Sequence, residues 1–225
     1  MVDRHLRRLS TPRAAAFAGV VFALLFGTAL TLIRSALPEG AEPGSQWLDG
    51  SSHHMRIAAM LMPFAGIAFL WFIGVIRDGF GDLEDRFFAT VFLGSGLLFL
   101  AVMFAVAGIG AGLEATGRQL ADSAVRTDVA LFGQTVVVTL AKTYAVRMAS
   151  VFMISLATIW LRTGLMPRAV VWTTYGLALV LMVAADTSMW LTLAFPAWVL
   201  VVSAFLIVRA RVTDRRSAAP PPDTV

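Results

Sequence analysis

The chain of 225 residues has no cysteine, three histidines and a single lysine, and only 14% of its residues are charged. Without cysteine there is no disulfide, no thiolate metal site and no thiol nucleophile. The only imidazoles are His5, His53 and His54, and none falls inside an apolar run, so no helix pair can supply the axial ligands of a membrane b-type haem. Such scarce charge also argues against a water-soluble sphere. Soluble domains carry about 25% charged and about 45–50% apolar residues, whereas 58% of this chain is hydrophobic.

What the chain has instead is six long apolar runs, Ala14–Ile33, Ile57–Ile76, Phe87–Leu113, Thr143–Leu161, Ala169–Ala185 and Met189–Val208. A hydrocarbon core about 30 Å thick takes about 20 helical residues to cross. Backbone amides find no water there, so each crossing segment must satisfy its own hydrogen bonds as a helix. The expected fold is all-α: a polytopic transmembrane bundle of six spans over 14–210, between a basic N-terminus (1–13) and a short Pro-rich tail (211–225) with little to bury. Arg7 and Arg8 precede the first run as in a secretory signal, but the run is too long for a signal core and Arg34 follows it, so an uncleaved span is expected.

The arginines give the orientation. With the N-terminus cytoplasmic, Arg4, Arg7, Arg8, Arg13, Arg77, Arg86, Arg162, Arg168, Arg209, Arg211, Arg215 and Arg216 lie inside, 12 of the 18 basic residues, which predicts both termini in the cytoplasm. Trp71, Trp160 and Trp172 then fall at inner span ends, Trp47 and Trp190 fall outside, and only Trp198 is mid-span. Arginine outnumbers lysine 17 to 1 amid abundant Ala, Gly, Val and Leu, which suggests a GC-rich bacterial source and the inner membrane. The basic residues cluster at span ends, where they serve orientation and headgroups, so nucleic acid is not an expected partner; membrane lipids, other membrane subunits or a second copy are.

The segment before the fourth span is unusual. At 100° per residue Asp128, Thr135, Thr139, Lys142, Thr143, Arg147 and Ser150 share one arc, which predicts an amphipathic helical element on the outer side. Val129–Ala141 either lies on the surface, dips into the bundle or extends the fourth helix above the membrane. Lys142 and Arg147 map to the same boundary as Asp186, at the outer end of span five. A pairing with Asp186 is one reading; the blander one has Arg147 snorkelling to headgroups and Asp186 ending its helix. Any ligand or ion path is expected to use Lys142, Arg147, Asp186, Thr135, Thr139 and Thr143.

Other features carry less. His53 and His54, placed in the outer loop Pro38–Met55 near Glu42 and Asp49, are weak metal candidates, because neighbouring loop residues do not converge on one ion without a rigid surround. Asp82 is expected to cap the third helix, with Glu84 and Asp85 against its dipole. Ser95, Thr173, Thr174 and Ser203 are expected to bond back to their own helices. Span three, with Gly94, Gly96, Gly108, Gly110 and Gly112, is the expected bundle centre, and Gly108-x-x-x-Gly112 has interface spacing. Pro63 and Pro196 are expected to bend spans two and six.

No span carries two carboxylates, a nucleophile with a base or clustered histidines, which weighs against an enzyme and leaves only an unfamiliar site at the outer boundary, using Arg147, Lys142 and Asp186 on a lipid headgroup; no cofactor is expected. Two function classes fit: a binding or accessory protein that contacts lipids or subunits, or a small-solute or ion transporter with an outer-leaflet polar path. Polar residues at depth are few and mainly hydroxyls, which favours the first.

Overall fold

The computed structural model describes residues 3–36, 52–78, 86–119 and 122–217. Among these residues all regular structure is helical. α1 covers Asp3–Ala36, α2 Ser52–Asp78, α3 Arg86–Gln119, α4 Ser123–Thr139, α5 Val146–Thr163, α6 Arg168–Ala184 and α7 Ala194–Ser217. A π turn, Leu140–Ala145, joins α4 to α5, and a 3-10 segment, Met189–Leu193, leads into α7. Five segments are long and apolar enough to cross a membrane: Ala16–Ala36, His53–Asp78, Arg86–Gly117, Ala124–Thr163 and Trp190–Val208. Arg168–Ala184 is a shorter apolar helix. The outer loop up to Ser51, the acidic connection with Asp82, Glu84 and Asp85, and the tail from residue 218 lie outside the described residues.

The amphipathic element is no separate surface helix. α4, the π turn and α5 form one uninterrupted helical segment, of which Ala124–Thr163 alone is 40 residues, about 60 Å long. That is twice the thickness of a hydrocarbon core. Asp122 caps its start by accepting the amide of Ala124 at 2.8 Å. Gly164 ends it in the left-handed region at φ 65°, where a side chain would be strained, and its amide closes on the Trp160 carbonyl.

Aromatic rings fill the middle of the bundle. Phe22 of α1 meets Phe69 of α2 at 4.5 Å between centroids; Phe69 meets Phe152 of α5 at 5.2 Å, and Phe99 of α3 meets Phe195 of α7 at 4.8 Å. All five rings are buried. α3 lies against α2, α4, the π turn and α5, while α5 lies against α3 and α6 and has ten of its 18 residues buried. Phe152, Met153 and Trp160 fill space from the middle outward, whereas several glycines of α3 face away. Gly96 touches Ile73 and Phe152, but a Cβ on Gly94, Gly108 or Gly112 would meet nothing within 4 Å, so the Gly108-x-x-x-Gly112 pair is not at a contact among the described residues.

Two further expectations change. Pro63 lies inside α2, but Pro196 sits in the first turn of α7, behind the 3-10 segment, where a missing amide hydrogen costs little. Trp160 is only 3% exposed and stacks toward Trp198 at 6.3 Å, so it is a core residue rather than part of an interfacial belt.

α5 and α6 run antiparallel across the four-residue link after Thr163. Thr158 shares a 2.6 Å hydrogen bond with the Tyr175 hydroxyl; eleven residues earlier on α5, Arg147 meets Asp186, eleven residues later than Tyr175. One register thus brings the π turn to the end of α6. α7 is tied to α6 by the indole of Trp198, which donates to Thr174 Oγ1 at 3.1 Å. A buried indole N–H needs an acceptor, and Thr174, expected to bond to its own helix, supplies it.

Candidate functional site

A π turn widens the helix and displaces the usual i to i−4 bonds, and such turns recur at functional sites. Arg147, two residues beyond the π turn Leu140–Ala145, bonds both to the backbone of that turn and to the turn after α6. Its Nη1 donates to the Thr143 carbonyl at 2.7 Å and its Nη2 to Asp186 Oδ2 at 2.8 Å. Thr143 Oγ1 donates to the other carboxylate oxygen, Oδ1, at 2.8 Å. Arg147, Thr143 and Asp186 thus form a closed triangle between the π turn and the turn after α6.

Asp186 stands outside the helical spans, with 55% of its side chain exposed, against 34% for Arg147. The Arg147 hydrogen bond, then that of Thr143, holds its carboxyl below the usual aspartate range; partial loss of water opposes this, and the charges of Arg147 and Lys142 reinforce it. Behind the π turn lies a small apolar cavity between Phe26, Leu30, Phe99, Met103, Ala145 and Phe195.

Four of the six expected site residues therefore come together: Arg147, Asp186 and Thr143 directly, and Lys142, half-buried on the π turn, through its charge. Thr135 and Thr139 do not join them. Both are exposed on α4, and Thr135 bonds back to the Leu131 carbonyl at 2.8 Å. His53 and His54 are not in a loop but in the first turn of α2, both exposed, with Arg56 Nη2 3.2 Å from His53 Nδ1. Among the described residues no three His, Cys, Asp or Glu side chains gather as a metal site would require.

Other contacts were not anticipated. Glu114, near the end of α3, is only 5% exposed. Ser203 Oγ is buried without a hydrogen-bond partner and points at Gly19 of α1, rather than bonding back to its helix. Ser95 and Thr173 do bond back, to the carbonyls of Val91 and Ala169. Arg34, in the last turn of α1, lies over the ring of Trp190, with the guanidinium carbon 3.2 Å from the centroid. The readable signal for that stack was an arginine directly after one apolar run and a tryptophan at the start of another.

Compared with family models, curated proteins and solved structures, the chain matches none.

Proposed function

We propose that the chain is a polytopic membrane protein that acts by binding, holding lipids or partner subunits against its helices, rather than by moving solute. The supporting observation is the aromatic layer across its middle. Phe22, Phe69, Phe99, Phe152 and Phe195 are all at most 3% exposed and in mutual contact, whereas a solute path needs polar groups at mid-depth on several helices. The triangle at the π turn favours the same reading, because Arg147 already has acceptors for both terminal nitrogens.

Six crossings, with α4, the π turn and α5 counted as one and α6 as the fifth, place both ends in the same compartment. The arginine bias makes that compartment the cytoplasm, and the composition suits a bacterial inner membrane. Large apolar side chains on the outside, among them Phe17, Phe64, Phe132 and Val183, fit contact with lipid.

The test is reconstitution into proteoliposomes with a panel of radiolabelled anions and cations. The proposal expects no uptake above empty vesicles. Saturable uptake that falls on Arg147→Ala would favour the second reading, a transporter gated at the π turn, where the helix is already loosened beside a cavity. Reporter fusions at both ends check the orientation and must report the same side.

A further inference from the structure

We propose that Arg34 and Trp190 form a site for a phosphate oxyanion, filled in the membrane by the phosphodiester of a lipid headgroup. The site rests on the membrane reading above but concerns a part of the molecule that reading does not use.

The guanidinium of Arg34 lies 3.2 Å from the centroid of the Trp190 ring. At that distance the indole covers one guanidinium face and the cation is held by the ring's negative face, leaving the N–H donors to point outward in the guanidinium plane. Of these, Nη1 is closed off from water and meets no acceptor. Among the described residues no carboxylate pairs with Arg34, whereas Arg147 has Asp186. With Nη1 shut in, Nε and Nη2 are the donors that this permanent cation offers to an approaching group, and the acceptor that satisfies both their hydrogens and the charge is an anion. Arg34 as a whole is only partly buried, so an anion has an edge to approach.

The stack also prepares the site. Trp190 fixes the plane of the guanidinium, so an oxyanion finds its donors already oriented and less side-chain freedom is lost on binding. Two parallel N–H donors match two phosphate oxygens, which a lysine ammonium cannot reproduce. The level of the site in the membrane identifies the source. Arg34 ends the first apolar helix and Trp190, 64% exposed, begins the last apolar segment; tryptophan at a span end sits among headgroups, where phosphodiesters are the abundant anion.

The experiment uses the full chain in neutral detergent with three probes: phosphatidylglycerol, a monogalactosyl diacylglycerol with the same acyl chains and no phosphate, and inorganic phosphate. Thermal unfolding is followed for wild type, Arg34→Gln, Arg34→Lys and Trp190→Leu. Phosphatidylglycerol is expected to raise the wild-type Tm above the galactolipid value, with the gain absent in Arg34→Gln and reduced in the other two. The same gain with inorganic phosphate supports the oxyanion site and moves its source from headgroup to solution. Equal gains from phosphatidylglycerol and galactolipid, or a gain undiminished in Arg34→Gln, overturn the proposal. A second measurement needs no variant at Arg34. Brominated phosphatidylglycerol, diluted into unbrominated galactolipid, should quench the fluorescence component lost in Trp190→Phe more strongly than brominated galactolipid does, and equal quenching overturns the site. A chain that stays soluble without detergent would remove the membrane reading itself, whereas these outcomes in a detergent-requiring chain remove only the site.

Discussion

Arg147 holds Asp186 at 2.8 Å while the same guanidinium donates to the Thr143 carbonyl of the π turn at 2.7 Å. The pair therefore does two things at once: it fixes the end of α6 against the start of α5, and it ties the guanidinium to the backbone of the π turn. Removing either partner should loosen the π turn and not merely lose an ion pair. Asp186→Asn and Arg147→Ala are each expected to lower the Tm in detergent, and the exchanged pair, Asp186→Arg with Arg147→Asp, should recover part of the loss. A double variant no better than the worse single one would show that the charges do not act as a pair.

The pH dependence follows from the same contact. Because the folded state holds the Asp186 carboxyl below its ordinary value of 3.8, its contribution is fully present at neutral pH and disappears as the pH falls through that value toward the lower folded one. The Tm difference between wild type and Asp186→Asn should be constant from pH 5 upward and shrink below about pH 4, in the range of an ordinary aspartate. A gap that instead closes between pH 5 and 7 would assign the stabilisation to another group.

Much of this architecture was legible because long apolar runs of about 20 residues can satisfy their backbone only as helices wherever water is absent. The six runs lie within the observed helical segments but for Ala185, just past α6, and Arg147 does meet Asp186, one of the two readings that the sequence left open. What was not legible depends on three-dimensional register. Nothing in the spacing of Gly94, Gly108 and Gly112 reveals that they face outward, since the side a helix presents is set by the partner it finds. The π turn also escapes the sequence, because LAKTYA reads as ordinary helix. Trp198 was legible in principle: a mid-span indole needs an acceptor, and Thr174 is one of few within reach.

That indole makes a measurable contribution. Hydrogen bonds between membrane helices average about 0.6 kcal/mol and reach about 1.7 kcal/mol in double-mutant cycles. Trp198→Phe and Thr174→Val, singly and together, should give a coupling energy in that range by SDS-induced unfolding. A coupling near zero would mean that the 3.1 Å contact is replaced by a bond within α6.

The aromatic layer predicts a larger effect. Phe→Ala in a water-soluble core costs about 3–5 kcal/mol, part transfer from water and part cavity. Between lipid-embedded helices the transfer part is small, because hydrocarbon chains are as apolar as the core. Phe152→Ala, which removes a ring in contact with Phe69, Phe92, Phe195 and Trp198, should therefore cost at or below the lower end, about 3 kcal/mol or less. Tm or SDS unfolding would check it. Phe132→Ala, 74% exposed on α4, should cost far less in the same assay, and equal losses would mean that α4 is covered in the membrane by something other than lipid.

Two glycines with the same substitution should behave oppositely. A Cβ on Gly19 would run into Ser203 Oγ and the Phe72 ring, whereas one on Gly108 meets nothing within 4 Å. Gly19→Ala is expected to force α1 and α7 apart at a cost of about 1–3 kcal/mol, the range for overpacking. Gly108→Ala should be neutral or slightly stabilising, since alanine is the better helix former by up to about 1 kcal/mol. Adding Ser203→Ala to Gly19→Ala removes the nearest obstructing atom but not Phe72, so it should restore only part of the lost stability. Loss of stability at Gly108 in proportion to side-chain size, with no loss at Gly19, would place the tight helix contact on the outer face of α3 and make that face the seam with a second copy.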